Sequence, residues 1–109
     1  MFFAQLTERE QDIVRQCMNA VLNSPYVGNF EFQTRLGVDR QALQKIIKTW
    51  PNLDDSDESS DAYLAINNCF NEVCHGIKIP PDDWSLWFNS PMGEIKAAYI
   101  KSAKDQSDA

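Results

Sequence analysis

The sequence lacks most of what catalysis and membrane insertion require. There is one histidine, His75, and the four glycines (Gly28, Gly37, Gly76 and Gly93) lie far apart, which excludes a glycine-rich phosphate loop and leaves catalytic scaffolds thinly supplied. No apolar run approaches the roughly 18–20 residues of a membrane-spanning helix. The start, Met1 to Leu6, has no basic segment and turns polar at Thr7, so it does not read as a secretion signal. Three cysteines (Cys17, Cys69 and Cys74) are an odd number and too few for a disulfide framework, which points to reduced thiols in the cytoplasm.

What is present is ordinary globular material. The 109 residues are 43% apolar and 24% charged, enough for one compact domain and one core. Sixteen acids and ten bases give a net charge of −6, unevenly divided. Residues 1–52 hold six bases and five acids, a balance of +1, while 53–109 hold four bases and eleven acids, a balance of −7. The acidity belongs to one half of the chain, which directs attention to a basic partner.

The periodicity predicts an all-α chain of about six helices. Thr7-Glu8-Arg9-Glu10 has the form of a capping box, and Ile13, Val14, Cys17, Met18, Val21 and Leu22 follow on one helical face as far as Asn23-Ser24-Pro25. Asn29 is placed to cap a short helix carrying Phe32 and Leu36, which Gly37 ends in the left-handed conformation. Asp39 caps a third helix with Leu43, Ile46, Ile47 and Trp50 on its inner face, stopped by Pro51, and Val38 is set to pack on Leu43. Residues 52–60 read as an acidic, serine-rich linker. Ser59 or Ser60 then caps a fourth helix bearing Tyr63, Ile66, Phe70, Val73 and Cys74, ended by Gly76. Pro80-Pro81 opens a short helix from Asp82 to Phe88, and Ser90-Pro91 starts a last one with Ile95, Ala98 and Tyr99, leaving 105–109 as a frayed tail.

A shift of 52 residues lays Thr7 on Ser59, Val14 on Ile66, Cys17 on Cys69, Met18 on Phe70, Phe32 on Trp84, Leu36 on Phe88, Leu43 on Ile95 and Ile47 on Tyr99. Core positions and the long-short-long helix order recur together. This predicts two three-helix units, about 7–51 and 59–104, each too small to bury its apolar face alone and therefore sharing one core. The units differ on the outside of their third helices. Gln41, Lys45 and Lys48 in the first correspond to Gly93, Ala97 and Ile100 in the second, an apolar strip that a partner or a second copy of the chain would cover.

Several constellations carry possible chemistry. The segment Phe32 to Lys48, with Leu36-Gly37-Val38 at its turn, has the form of a helix-turn-helix, and Arg40, Gln41, Gln44, Lys45 and Lys48 are residue types that read bases and phosphates. The acids Asp54, Asp55, Asp57, Glu58 and Asp61 lack the glycine and glutamate of a calcium loop, and suit either a solvated linker or a surface attracting a basic protein. Cys69 and Cys74 stand roughly 140° apart around a helix, and Cys74 and His75 about 100°, so neither zinc binding nor a nucleophile–base pair is expected. Trp50, Trp84, Phe88 and Tyr99 read as core, whereas Trp87 aligns with Arg35 and reads as a partner anchor.

From Glu31-Phe32 through Trp50-Pro51, the acidic run 54–58 and Leu64-Ala65-Ile66-Asn67-Asn68, the chain resembles small bacterial all-helical proteins with the same Trp-Pro, acidic run and Ala-Ile-Asn-Asn order. The resemblance spans about residues 30–75; it implies a bacterial cytosolic all-α protein and nothing about sites. The sequence as a whole predicts a single non-enzymatic domain without cofactor or metal. The expected role is an acidic protein-binding module, an inhibitor of immunity or antitoxin type that neutralises a basic partner such as a nuclease toxin. Its contacts would be Asp54, Asp55, Asp57, Glu58, Asp61, Trp87, Ala97 and Ile100. The rival expectation is a DNA-binding regulator using Arg40, Gln41, Gln44, Lys45 and Lys48.

Overall fold

The computed structural model describes residues 6–50 and 61–107. These residues are all-helical: α1 (Glu8–Asn23), α2 (Asn29–Leu36), α3 (Arg40–Thr49), α4 (Asp61–Asn71), a π-turn (Glu72–Gly76), a 3-10 turn (Pro81–Asp83), α5 (Trp84–Trp87) and α6 (Met92–Ser107). Among them there is no strand, and no helix is long and apolar enough to cross a membrane.

The local signals act as their chemistry dictates. Thr7 accepts from the Glu10 amide at 3.1 Å and its own amide donates to the Glu10 carboxylate at 2.8 Å, closing the capping box of α1. Asp39 accepts from the Ala42 amide at 2.8 Å to start α3. Thr7→Ala is expected to lower stability by about 1 kcal/mol; an unchanged urea midpoint would show that the box contributes nothing in solution.

Three helix ends differ from the sequence reading. The cap of α2 is Gly28, with Asn29 already its first helical residue. Gly76 is not left-handed; the only positive-φ residue described is Gly37, at φ 79°. Instead, the end of α4 widens into a π-turn that closes with the Ile77 amide on the Glu72 carbonyl at 2.8 Å. At α6 the buried Ser90 hydroxyl turns to Asn89, and the Pro91 carbonyl accepts the first helical bonds, from Glu94 and Ile95. The helix then continues to Ser107. The predicted linker 52–60 and its caps Ser59 and Ser60 lie outside the described residues.

Helix α1 lies at the centre and packs on α3, α4, α5, α6 and the π-turn, while α4 adds contacts to α2, α3 and α6. The shared core is built from Ile13, Val14, Cys17, Met18 and Val21 of α1, Leu36 of α2, Leu43 of α3, Ile66, Cys69 and Phe70 of α4, and Ile95 of α6, all essentially inaccessible. Gly37 is required by its left-handed backbone, and a Cβ there would also crowd Asn68 Nδ2 at 3.3 Å. Asn68 uses that amide to donate to the Leu36 carbonyl at 2.8 Å, supplying a partner for the end of α2.

Two ion pairs fasten α6 to the start of α1. Arg9 grips Glu94 with two bonds, 2.7 and 3.1 Å, and Lys101 reaches Glu10 at 2.9 Å. Burial pushes the Glu10 carboxyl up, but the bonds from Thr7 and Lys101 outweigh it, so its pKa falls below the usual value. These contacts set which side of α6 faces outward.

Candidate binding surfaces

The outer side of α3 presents Gln41, Gln44, Lys45 and Lys48 to solvent, as its periodicity predicts. Arg40 does not join them. Its guanidinium bonds the Leu22 carbonyl, donates to the Val27 carbonyl at 3.1 Å and lies 4.3 Å above the Phe32 ring. Helix α1 ends with no basic residue in its own last turn, and Arg40 supplies a donor to the Leu22 carbonyl left open there and a second to Val27 in the loop that follows. The reader set of the rival expectation therefore loses its strongest phosphate-binding group.

On α6 the inner positions Ile95, Ala98 and Ser102 are buried, while Gly93, Lys96, Ala97 and Ile100 are exposed. Ile100 is 66% accessible. The outer strip is thus open in the isolated chain; Lys96 is exposed on the same helix, and the partly exposed Glu94 is paired with Arg9.

The segment from Pro81 to Phe88 carries the other predicted anchor, and more than the sequence reading assigned to it. Phe88 is buried and stacks on Trp84 at 4.3 Å, and the Trp84 indole donates to the Ser90 carbonyl at 2.8 Å. The Tyr26 hydroxyl donates to Asp83 at 3.0 Å, tying the segment to the loop after α1, and Gln16 pairs with Asn89 through bonds of 2.7 and 2.9 Å. Trp87 is half-buried against the core. The residue that stands clear is Leu86, 71% exposed, with Asp82 four and Asp83 three positions before it on the same helical side. Leu86 was readable in principle. Trp84 and Phe88, four apart, define the inner side of this short element, and the residue midway between them must point away.

Sequence reasoning also missed the pair inside the fold. Glu72 is buried, its side chain only 9% accessible, and its carboxylate is held by both Nε and Nη2 of Arg35, the Nε bond being 3.1 Å. Arg35 also reaches Glu31 at 3.3 Å. The bond to Glu72 raises the arginine pKa further. Phe30, at the start of α2, is fully exposed.

The remaining candidates do not assemble into chemistry. Cys17, Cys69 and Cys74 are free, buried thiols whose pKa values burial pushes up, the reverse of an activated nucleophile. His75 is exposed, tilts toward Tyr99 at 6.3 Å and makes no hydrogen bond to the buried Cys74 among the described residues. Among the described residues no three His, Cys, Asp or Glu side chains are grouped to hold a metal. Asp54, Asp55, Asp57 and Glu58 lie outside the described residues; Asp61 opens α4. No protein-family model, no curated protein and no solved structure matches this chain.

Proposed function

We propose that the chain is a non-enzymatic protein-binding module that docks a basic partner through the Pro81–Phe88 segment, in the manner of an immunity or antitoxin-type inhibitor. One observation carries this reading: Leu86, a 71% exposed leucine with Asp82 and Asp83 beside it, on an element fixed by stacking and by the Tyr26 bond. An apolar knob with an acidic rim suits a basic protein. The knob contributes burial on contact, and the acids, with the net charge of −6, accelerate encounter. Ala97 and Ile100 offer a second apolar area, but Lys96 at its edge repels a basic partner, so the docking centre belongs at Leu86.

The 52-residue correspondence supports a common core for two like units. The matched pairs Val14 and Ile66, Cys17 and Cys69, Met18 and Phe70, and Leu43 and Ile95 are all buried. In that scheme the second unit is the one that turned a surface outward for binding.

The test is titration calorimetry against any basic protein that a neighbouring reading frame proves to encode. Leu86→Asp is expected to weaken binding about a hundredfold, close to 2.7 kcal/mol. Asp82→Lys should mainly slow association and flatten its salt dependence. A partner that binds Leu86→Asp as tightly as the native chain would remove the proposal.

A second reading, a helix-turn-helix regulator of transcription, draws on the left-handed turn at Gly37 and the exposed Gln41, Gln44, Lys45 and Lys48. Retention on random duplex DNA with a steep salt slope, lost when Lys45 and Lys48 become glutamate, would select it.

A further inference from the structure

We infer that Tyr26, Asp83 and Trp87 form a relay that registers the capture of an arginine from the partner: the guanidinium takes both oxygens of Asp83, and the released Tyr26 hydroxyl moves onto the buried indole N–H of Trp87. This rests on the docking reading of the Pro81–Phe88 segment and names the group that the segment recognises. The starting observation is a donor without an acceptor. Of the three tryptophans, Trp50 donates its indole N–H to the Gln11 carbonyl at 2.9 Å and Trp84 donates to the Ser90 carbonyl at 2.8 Å. The Trp87 Nε1 atom is buried and makes no hydrogen bond among the described residues. A buried donor left unmade is a standing cost, and so rare an exception calls for a reason.

The reason lies one turn earlier. Asp83 precedes Trp87 by four residues, so the two share one side of the element, and Tyr26 reaches Asp83 from the loop after α1. Its hydroxyl donates to Asp83 Oδ2 at 3.0 Å, and that bond fixes where the phenol oxygen stands. The Trp87 indole is near enough to act on the same phenol. Burial holds the Tyr26 pKa up, the Trp87 N–H opposes that rise, and Asp83 adds to it. One oxygen thus stands between a carboxylate that holds it and an N–H that it does not reach.

Asp83 is free to be taken. It is partly exposed, it has no ion pair among the described residues, and its side chain makes no capping bond to α5. Tyr26 engages one of its oxygens with a neutral donor, the weaker kind. A guanidinium binds a carboxylate through two parallel N–H bonds, which requires both oxygens and displaces the phenol. An ammonium is a point donor that the other oxygen satisfies, so a lysine leaves Tyr26 in place. The exchange loses one phenol bond and makes, at Trp87, the bond that the resting chain lacks. Leu86, exposed beside both acids, supplies the apolar contact that brings the arginine in.

The test is the nitrogen–proton correlation spectrum of the full chain, in which each indole N–H gives one signal and Trp87→Phe identifies the signal of Trp87. Asp83→Ala removes the acceptor and imitates the captured state. The Trp87 signal is expected to move downfield, the direction in which hydrogen bonding shifts an N–H proton. The Trp50 and Trp84 signals should stay in place, which shows the fold intact. In the double variant Tyr26→Phe, Asp83→Ala, the Trp87 signal should return to its resting position, because no phenol oxygen remains to accept. A synthetic helix with leucines on one side and arginines on the other should shift the Trp87 signal as Asp83→Ala does, and the same helix with lysines should not. The relay is overturned if Asp83→Ala leaves the Trp87 signal unmoved, if the double variant shifts it equally, or if the arginine helix binds without shifting it. Failure of both helices to bind, with the variants behaving as stated, would overturn the docking reading and the arginine with it while upholding the Tyr26–Trp87 exchange.

Discussion

Phe70→Ala should cost about 3–5 kcal/mol, a large share of the roughly 5–15 kcal/mol that holds a domain of this size together. Phe70 is wholly buried on α4, beside α1 across the core, and its ring stacks on Tyr99 of α6 at 5.4 Å with the planes 14° apart. Truncation removes the ring's transfer energy, leaves a cavity that neighbouring side chains refill only partly, and takes away the surface on which Tyr99 rests. Urea denaturation would report the loss as a lower midpoint. The buried thiols provide an independent reading. Cys17 and Cys69 are inaccessible, and burial holds their pKa values up, so a thiol reagent reaches them only when the chain opens. Labelling of these two cysteines should quicken in Phe70→Ala about tenfold for each ~1.4 kcal/mol of stability lost. A midpoint shift below about 1 kcal/mol would mean the core closes over the gap, contrary to a tightly packed three-way junction.

Much of this fold was legible because its signals are local. The capping box at Thr7, the Asp39 cap, the Gly37 turn and the inner faces of α1, α3 and α4 each depend on residues a few positions apart, and a linear reading finds them. What escaped depends on contacts distant in sequence. Arg40 belongs by periodicity to the outer side of α3, yet the Leu22 carbonyl at the end of α1 and the Val27 carbonyl of the next loop draw it in. The charge division between the two halves is real in sequence but partly cancelled in space. Arg9 with Glu94 and Arg35 with Glu72 each pair a base of the first half with an acid of the second, while Lys101 with Glu10 pairs them the other way. Among the second-half acids whose side chains are described, Glu72 and Glu94 are taken up by these pairs, while Asp82 and Asp83 have no ion pair. The strip Gly93, Ala97 and Ile100 was readable because the comparison of two helices in register exposed it, whereas Leu86, with no polar counterpart to contrast with, passed unnoticed.

The second large effect lies at the π-turn, where Arg35, Glu72 and Gly76 act as one unit. The buried Glu72 side chain is held by Arg35, so Arg35→Met leaves its oxygens without that partner and should cost about 3 kcal/mol. The low end of the usual range applies, because the Arg35 side chain remains 27% exposed and water can reach the site. Replacing both residues with methionine should recover most of that loss, since apolar side chains of similar volume need no charge partner. Gly76 enters through space alone: a Cβ there would run into the Glu72 carboxylate, which Arg35 prevents from swinging aside. Gly76→Ala should therefore cost about 1–2 kcal/mol in the native chain. In a Glu72→Ala background the obstacle is gone, Gly76 is not in the left-handed region, and alanine should be neutral or stabilising by up to about 1 kcal/mol. A double-mutant cycle on these two positions, measured by urea denaturation, reads the coupling directly. Additive costs for Glu72→Ala and Gly76→Ala would show that the glycine answers to something other than the carboxylate. A reversal in the sign of Gly76→Ala would tie the widened end of α4 to an ion pair formed with a helix 37 residues earlier in the chain.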